Sequence, residues 1–360
     1  MNEKQKLQEL LKGKIPDLKE KEVWIWGAGN TAELYQEGFK RLEAEGFHID
    51  GYIDKRATEM NHQFRGKSVI PPEQITSREN LCVLICTIRP NIIKEIKQIC
   101  AEKNIETFLV DEVIFKAHKE DVEKCYDFLY DERSKEVYAE LLKARVTGEE
   151  LKKGICEENQ YFYFPPFQKK RDDEVFVDCG AYDGDSVYEY LNKKDGIFEE
   201  IIAFEPDEEN FEKLKKNIEK ECEKRNLPKE KFRLYPFGID EKDSISKYAR
   251  YENNEGVGSK LLSEDETSGI ECKTVALDSF LTEKYHFLKA DIESYEYKML
   301  LGAKSGIKKN KPLLAICIYH NAVDFYSIPL LIKEIVPEYK IAVRHHREDT
   351  SETIVYAWIE

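Results

Sequence analysis

Two series of short apolar runs alternate with amphipathic stretches, and in each series the first run ends in a glycine turn. This pattern restricts the fold more than any other feature. The first series opens at "EVWIWGAGNTA" (from Glu22) and the second at "VFVDCGAYDGDS" (from Val175). Apolar runs separated by helix-length segments specify parallel sheets covered on both faces. Two such series in 360 residues predict an α/β chain with two Rossmann-like domains, each large enough to bury its own core.

In the first series the predicted strands are Glu22–Trp26, Ile49–Asp54, Leu81–Thr87 and Glu106–Val110. One helix carries Leu34, Phe39 and Leu42 on one face, and another turns Ile92, Ile96 and Ile99 inward. From Lys119 the pattern is helical only, so residues 119–160 are expected to connect a domain at 1–118 to one at 161–360. The aromatic stretch "YFYFPPF" (Tyr161–Phe167) follows, and its proline pair is predicted to halt regular structure. Seven strands are then expected, at Glu174–Asp178, Ile201–Pro206, Phe232–Ile239, Phe287–Asp291, Leu313–His320, Lys340–His346 and Thr353–Ile359. The last two pair as an antiparallel hairpin across "REDTSE". Between the third and fourth lies an insertion with hairpin-like pieces, Ser244–Leu262 and Gly269–Leu277.

The net charge of −15 opposes attraction to phosphate backbones, so bulk nucleic-acid binding is disfavoured. The run "LLAICIY" is too short to span a bilayer and the N-terminal residues lack a signal peptide's apolar segment, so no membrane insertion and a cytoplasmic location are expected. Nine scattered cysteines without a CxxC pair read as small buried hydrophobes rather than disulfides or zinc ligands.

The turn after Val175–Cys179 sits where open parallel sheets bind ligands, beyond the carboxyl end of a domain's first strand. Gly180 allows close backbone approach, and Asp178, Asp183 and Asp185 surround it with carboxylates. A diphosphate is repelled there, and the turn has neither a P-loop lysine nor a full GxGxxG fingerprint. Glu205, ending the second strand, is placed to take ribose hydroxyls. A glycine turn with a ribose acid and no phosphate donors points to S-adenosylmethionine. Asp183 or Asp185 would alternatively cap the following helix.

"VFVDCGAYDGDS", "AFEPD", "ALDSFL", "FLKADIESYEYKMLLGAK" and "KPLLAICIYH", in that order, resemble the FkbM family of S-adenosylmethionine-dependent methyltransferases, over Tyr161 to Glu360. The resemblance implies a seven-stranded class I methyltransferase sheet with an antiparallel last strand, and O-methylation of sugars or sugar-bearing products. It implies Asp178, Gly180, Ala181, Asp183, Ser186, Glu205 and Pro206 at the cofactor, with Gly238 beside adenine. In "DIESYEY", Ser294 stands where the family usually has Gly.

Methyl transfer needs an aligned acceptor and a group to take its proton. Asp291, Glu293 and His320 lie at neighbouring strand ends, and this set suits either a general base or one divalent cation. Lys289, two residues before Asp291, shares its strand face and would pair with it or orient a substrate oxygen. The competing assignments are helix capping for Asp291 and Glu293 and a structural role for His320. His345 and His346 flank the final hairpin and either reach the site or pack.

In the first domain Gly27, Gly29 and Asn30, with Asp54 ending the next strand, fit G-x-G-x-x-A in a strand–helix setting. The segment around "GYIDKR" and "GKSVIPPEQI" resembles nucleotide- or sugar-sensing Rossmann domains found beside sugar-modifying transferases, which implies a nucleotide-linked sugar or a homodimer contact there. The leading expectation is an O-methyltransferase acting on a sugar or glycoconjugate. The alternatives are a non-catalytic nucleotide-sugar-binding or regulatory protein and an NAD-dependent oxidoreductase.

Overall fold

The computed structural model describes residues 3–13, 15, 18–44, 46–253, 256–262 and 269–359, and its contacts divide the chain into two units. The first comprises Met1–Cys156 with Tyr319–Tyr326 and Arg347–Ser351, and the second Glu157–Ile318, Ser327–His346 and Glu352–Glu360.

The first unit holds a six-stranded sheet of β1 (Glu22–Trp26), β2 (Ile49–Ile53), β3 (Gln63–Phe64), β4 (Lys67–Ile70), β5 (Leu81–Ile85) and β6 (Glu106–Leu109). The order is β3-β4-β2-β1-β5-β6, and every pairing is parallel except β3 with β4. The four predicted strands are β1, β2, β5 and β6. The β3–β4 hairpin left no apolar run to read, since only Val69 within it is buried. The helix Pro90–Glu102 buries Ile93, Ile96 and Cys100 rather than the expected Ile92, Ile96 and Ile99. Both sets have helical spacing; Cys100, a small apolar residue fully buried in the core, tips the face, and Ile92 and Ile99 flank it. The helices Lys119–Phe128 and Glu132–Thr147, expected as a connector, belong by their contacts to this first unit. Asp131 caps the second of them by accepting from Ser134 N, and Gly148 at φ +77° closes it.

The second unit carries β7 (Val175–Cys179), β8 (Glu200–Phe204), β9 (Phe232–Tyr235), β10 (Phe237–Ile239), β11 (Ser244–Asn253), β12 (Gly256–Leu261), β13 (Ile270–Val275), β14 (Phe287–Ala290), β15 (Leu313–Cys317), β16 (Lys340–His345) and β17 (Thr353–Trp358). Seven of these form one sheet in the order β16-β17-β15-β14-β7-β8-β9, with β17 antiparallel to both neighbours. This is the predicted seven-stranded arrangement with an antiparallel final strand. The expected third strand, Phe232–Ile239, is instead two. Pro236 has no N–H for a ladder, and beyond it β10 joins a separate sheet of order β10-β13-β11-β12. Gly238 consequently lies in that small sheet, where an added Cβ would meet Leu261 Cδ2 at 2.9 Å. The predicted hairpin in the insertion is β11 with β12; Asn254 and Glu255 between them, and residues 263–268, lie outside the described residues.

The aromatic stretch packs into the core. Phe162 and Phe167 are fully buried, and Phe167 meets Phe287 and Tyr356 edge-on at 5.3 Å. The proline pair does not end regular structure; it starts the short helix Pro165–Gln168, where a missing N–H costs nothing. All nine cysteines are free and eight are buried. Among the described residues no helix is long and apolar enough to cross a membrane.

Under this core lies a fully buried ion pair, Lys194 Nζ to Glu174 Oε1 at 2.7 Å. Lys194 also donates to Lys169 O at 2.7 Å, and the Tyr190 hydroxyl donates to Glu174 Oε1 at 2.8 Å. Breaking such a pair leaves an uncompensated buried charge. Lys194→Met is therefore expected to cost about 3 kcal/mol, with most of it regained in Lys194→Met/Glu174→Leu, as read by urea unfolding.

Candidate active site

Strands β7 and β14 are parallel neighbours at the centre of the seven-stranded sheet, and the strand order reverses between them. Their carboxyl ends mark the place where such sheets take ligands. The turn after β7 is pressed against the chain leaving β14: a Cβ on Gly180 would lie 1.9 Å from the Asp291 carbonyl oxygen. Gly180 also has φ +80°, so glycine is required there twice over. On the other side the Gly180 and Ala181 N–H groups both donate to Phe204 O at the end of β8 at 3.0 Å.

Asp178 and Lys289 face each other in the β7–β14 register and are both buried, with Lys289 Nζ 3.0 Å from Asp178 Oδ1. Lys289 Nζ also donates to Gly180 O at 2.8 Å, and Ser186 Oγ donates to Asp178 Oδ2 at 2.5 Å. Burial works against the charge on Lys289, but Asp178 and Asp291 outweigh it and hold the ammonium above its ordinary range. Asp178, Ser186 and Lys289 are thus tied together inside the protein and fix the turn. Asp183 is half-buried and Asp185 exposed, and burial together with the Asp185 charge pushes the Asp183 carboxyl up.

Glu205, at the tip of β8, is buried. Its Oε2 accepts from Tyr182 N at 3.0 Å, and its Oε1 from Asp207 N, beyond Pro206, at 2.9 Å. Burial raises its pKa to about 7 against these two backbone bonds. Asp207 itself caps the helix Glu208–Arg225, accepting from Glu209 N and Asn210 N.

Asp291, half-buried just past β14, accepts a 2.8 Å hydrogen bond on Oδ2 from the Tyr161 hydroxyl. Tyr161 has φ +63°, a left-handed conformation rare for an aromatic residue. Its N–H donates to the Tyr356 hydroxyl at 3.1 Å, and that hydroxyl lies 2.9 Å from His346 Nε2. Burial pushes His346 down to about 4, so the ring is neutral. Its Nδ1 lies 2.8 Å from Glu157 O, which can only accept. The proton therefore sits on Nδ1, and Nε2 accepts from Tyr356. His346 braces the segment that carries Tyr161, while His345 Nδ1 meets Thr353 Oγ1 at 2.9 Å in the interior. Tyr161 was legible only as part of an aromatic run.

Glu293 and Ser294 have φ +55° and +76°, so Ser294 takes a left-handed conformation where the resembled family usually has Gly. The helix Glu296–Gly302 has Tyr295 at its N-cap, without a capping bond from that side chain. Glu296, fully buried, accepts from Ile292 N at 2.7 Å, and a carboxylate oxygen of it lies within 4.8 Å of one of Asp291. Glu296 is thus a second carboxylate beside Asp291. Its signal was an acid in the first turn of a helix, which sequence alone cannot tell from a helix-dipole residue. His320 is buried in Tyr319–Tyr326, a segment of the first unit, with its ring 4.1 Å from that of Tyr319.

In the first unit Gly27 has φ +117°, and a Cβ there would lie 2.5 Å from Cys86 O. The Asp54 carboxylate is engaged within the chain. It accepts from Ala28 N and Arg56 N at 2.9 Å and from Arg56 Nε and Nη2 at 3.0 Å. The same guanidinium covers Gly29, where a Cβ would be 2.8 Å from Arg56 Nη2, and Asn30 begins a helix of only five residues.

A left-handed conformation costs a side-chain-bearing residue about 1 kcal/mol. Ser294→Gly should accordingly raise unfolding free energy by about 1 kcal/mol, whereas Gly180→Ala should destabilise severely, both read by denaturant titration.

Residues 178–339 match the model of the methyltransferase FkbM domain. No curated protein matches the chain. Among solved structures the chain is similar to a methyltransferase FkbM from Methylobacillus flagellatus KT, at 20% identity and TM-score 0.56, over 99% of this chain and 97% of that one. It is also similar to an rRNA methylase from Streptococcus thermophilus, at 14% identity and TM-score 0.32, over 53% of this chain and 90% of that one. With the sheet order, the turn after β7 and the family match in agreement, residues 178–339 are a methyltransferase FkbM domain.

Proposed function

We propose that the second unit transfers a methyl group from S-adenosylmethionine to a hydroxyl of a sugar or glycoconjugate. The observation that carries the cofactor reading is Glu205. Each oxygen of this buried carboxylate accepts one backbone N–H and keeps lone-pair capacity for a ribose hydroxyl, at the strand end where a ligand is expected. The Gly180–Ala181 turn supplies close backbone approach, and Asp183 supplies negative charge suited to a cationic ligand. When bound, S-adenosylmethionine supplies an electrophilic methyl group on a sulfonium.

The residues of the chain then have separate tasks. Lys289 and Asp178 hold the cofactor turn in place through Gly180 O and Ser186. Asp291 accepts the proton of the acceptor hydroxyl, and the Tyr161 hydroxyl orients that carboxylate by donating to Oδ2. Glu296 fixes the chain beside Asp291 through Ile292 N. Asp291 and Glu296 are also the donors that a divalent cation would use at this place. The sugar hydroxyl as acceptor rests on the family resemblance.

Calorimetric titration of the full chain with S-adenosylhomocysteine tests the cofactor reading. A ribose hydroxyl donates to an ionised carboxylate, and Glu205 titrates near 7. Affinity should therefore rise between about pH 6 and about pH 8, with a proton released on binding. Glu205→Gln should weaken binding about tenfold and abolish that pH dependence. Binding of NAD without binding of S-adenosylhomocysteine would sink the reading.

A further inference from the structure

Strand β11 of the small inserted sheet reaches across to the loop that follows Glu205, and it does so with a charged side chain. Arg250 Nε donates to Asp207 Oδ2 at 2.5 Å and Nη2 to Asp207 Oδ1 at 3.1 Å, while Nη1 donates to Glu209 Oε1 at 2.7 Å. Asp207 is 1% exposed, so the fork closes on a buried carboxylate. Helix capping does not call for this arginine, since Asp207 Oδ1 already accepts from Glu209 N and Asn210 N. Nor is it needed merely to tether the strand, because the Tyr248 hydroxyl of β11 also accepts from Glu208 N at 3.4 Å.

Asp207 stands two residues beyond Glu205, and its N–H is one of the two that the Glu205 carboxylate accepts. Both side chains are buried, and two carboxylates this close in the interior oppose each other's ionisation. Burial and the Asp207 charge push Glu205 up to about 7, and the Lys289 ammonium from β14 acts against them. Lys289 is already engaged by Asp178 and Gly180 O. The turn after β7 adds Asp183 and Asp185, whose charges act with those of Glu205 and Asp207 on the Tyr182 hydroxyl. From the helix Glu208–Arg225, Lys213 lies over the Tyr182 ring at 6.0 Å. In this acidic setting Arg250 supplies the positive charge that meets Asp207 directly. An arginine fork on Glu205 itself would fill the lone pairs a ribose needs, as Arg56 fills those of Asp54. Placed on Asp207, the fork balances charge and leaves the remaining Glu205 lone pairs untouched.

We propose that Arg250 is a positioning residue for the methyl donor: by neutralising Asp207 it allows Glu205 to carry the charge that accepts ribose hydroxyls. This role rests on the assignment of Glu205 to the ribose. It gives the inserted sheet a part in cofactor binding that is exerted through Asp207. Without the guanidinium the Asp207 charge acts on Glu205 in full, and Glu205 keeps its proton to higher pH. A protonated carboxyl is the poorer acceptor, so the loss is felt near neutrality and disappears once the pH is high enough to ionise Glu205 regardless.

The test is calorimetric titration of the full chain with S-adenosylhomocysteine between about pH 6 and about pH 9, paired with carboxyl NMR of the glutamate-labelled protein. The Glu205 resonance is identified by its absence in Glu205→Gln. In Arg250→Gln its midpoint should rise by about 0.7 pH unit, and affinity should fall about threefold near pH 7 and return to the wild-type value near pH 9. Arg250→Lys, which keeps the charge, should retain the wild-type profile. Asp207→Asn keeps a capping side chain and removes the opposing charge. Added to Arg250→Gln, it should bring the midpoint back to the wild-type value or below, which a folding defect in Arg250→Gln could not do. An unchanged Glu205 midpoint in Arg250→Gln, or a loss of affinity equal at every pH, would overturn the proposal and leave the cofactor reading intact. If the wild-type chain does not bind S-adenosylhomocysteine, the ribose assignment fails and the role of Arg250 with it, whatever the midpoints.

Discussion

The close approach of the Asp291 carbonyl to Gly180 is the constraint on which the second unit's site depends. It joins the end of β7 to the end of β14 at the point where the strand order reverses, and no side chain fits between them. The Lys289–Asp178 pair lies directly beneath, in register across the same two strands. Burying two charges here is costly in itself. It fixes geometry: the ammonium reaches past the carboxylate to Gly180 O, so the turn is anchored from below while Phe204 O anchors it from the side. Three strands thereby fix a short stretch of backbone before any ligand arrives, and pre-positioned groups of this kind lose less on binding.

Asp291 inherits its position from the same contact. Its carbonyl is packed against the turn, its carboxylate is held by Tyr161, and the following residues leave in the left-handed conformations of Glu293 and Ser294. Tyr161 is itself left-handed and is braced by Tyr356 and His346 from the final hairpin. Strained backbone persists only where its surroundings over-determine it. Here the surroundings are a neutral histidine, a tyrosine hydroxyl and the antiparallel strand β17. The carboxyl-terminal hairpin therefore does more than close the sheet edge: it sets the residue that orients Asp291.

Much of this was legible in the sequence because it is periodic. The strands of both sheets follow from apolar runs bounded by turn residues, and Gly180 and Glu205 follow from their positions at strand ends. What escaped has physical causes. The break at Pro236 was hidden because apolar character continues across it and only the missing N–H divides the ladder. Asp178 read as a turn acid because sequence shows its charge but not its register partner Lys289. The individual links of Glu296 and Tyr161 to the Asp291 stretch were not legible because they cross a turn and a distant segment, where no spacing rule operates. The choice of Cys100 over Ile99 in the first unit was a matter of a few degrees of helix rotation.

The two glycine turns share one construction, and comparing them shows what a glycine turn is evidence for. In each, the residue after the first strand is a left-handed glycine approached by a backbone carbonyl from the strand across the reversal point, Cys86 O for Gly27 and Asp291 O for Gly180. In each, an acid at the end of the second strand accepts an N–H from the turn, Asp54 from Ala28 and Glu205 from Tyr182. Both glycines are thus demanded by sheet geometry, with or without a ligand. The difference lies in the acid. Arg56 saturates Asp54 with a bidentate pair, whereas Glu205 is held by backbone N–H groups and burial alone, and its pKa is raised accordingly. A carboxylate whose charge is left uncompensated in this way gains most from new hydroxyl donors. It is therefore the acid's partner, not the glycine spacing, that distinguishes the two turns.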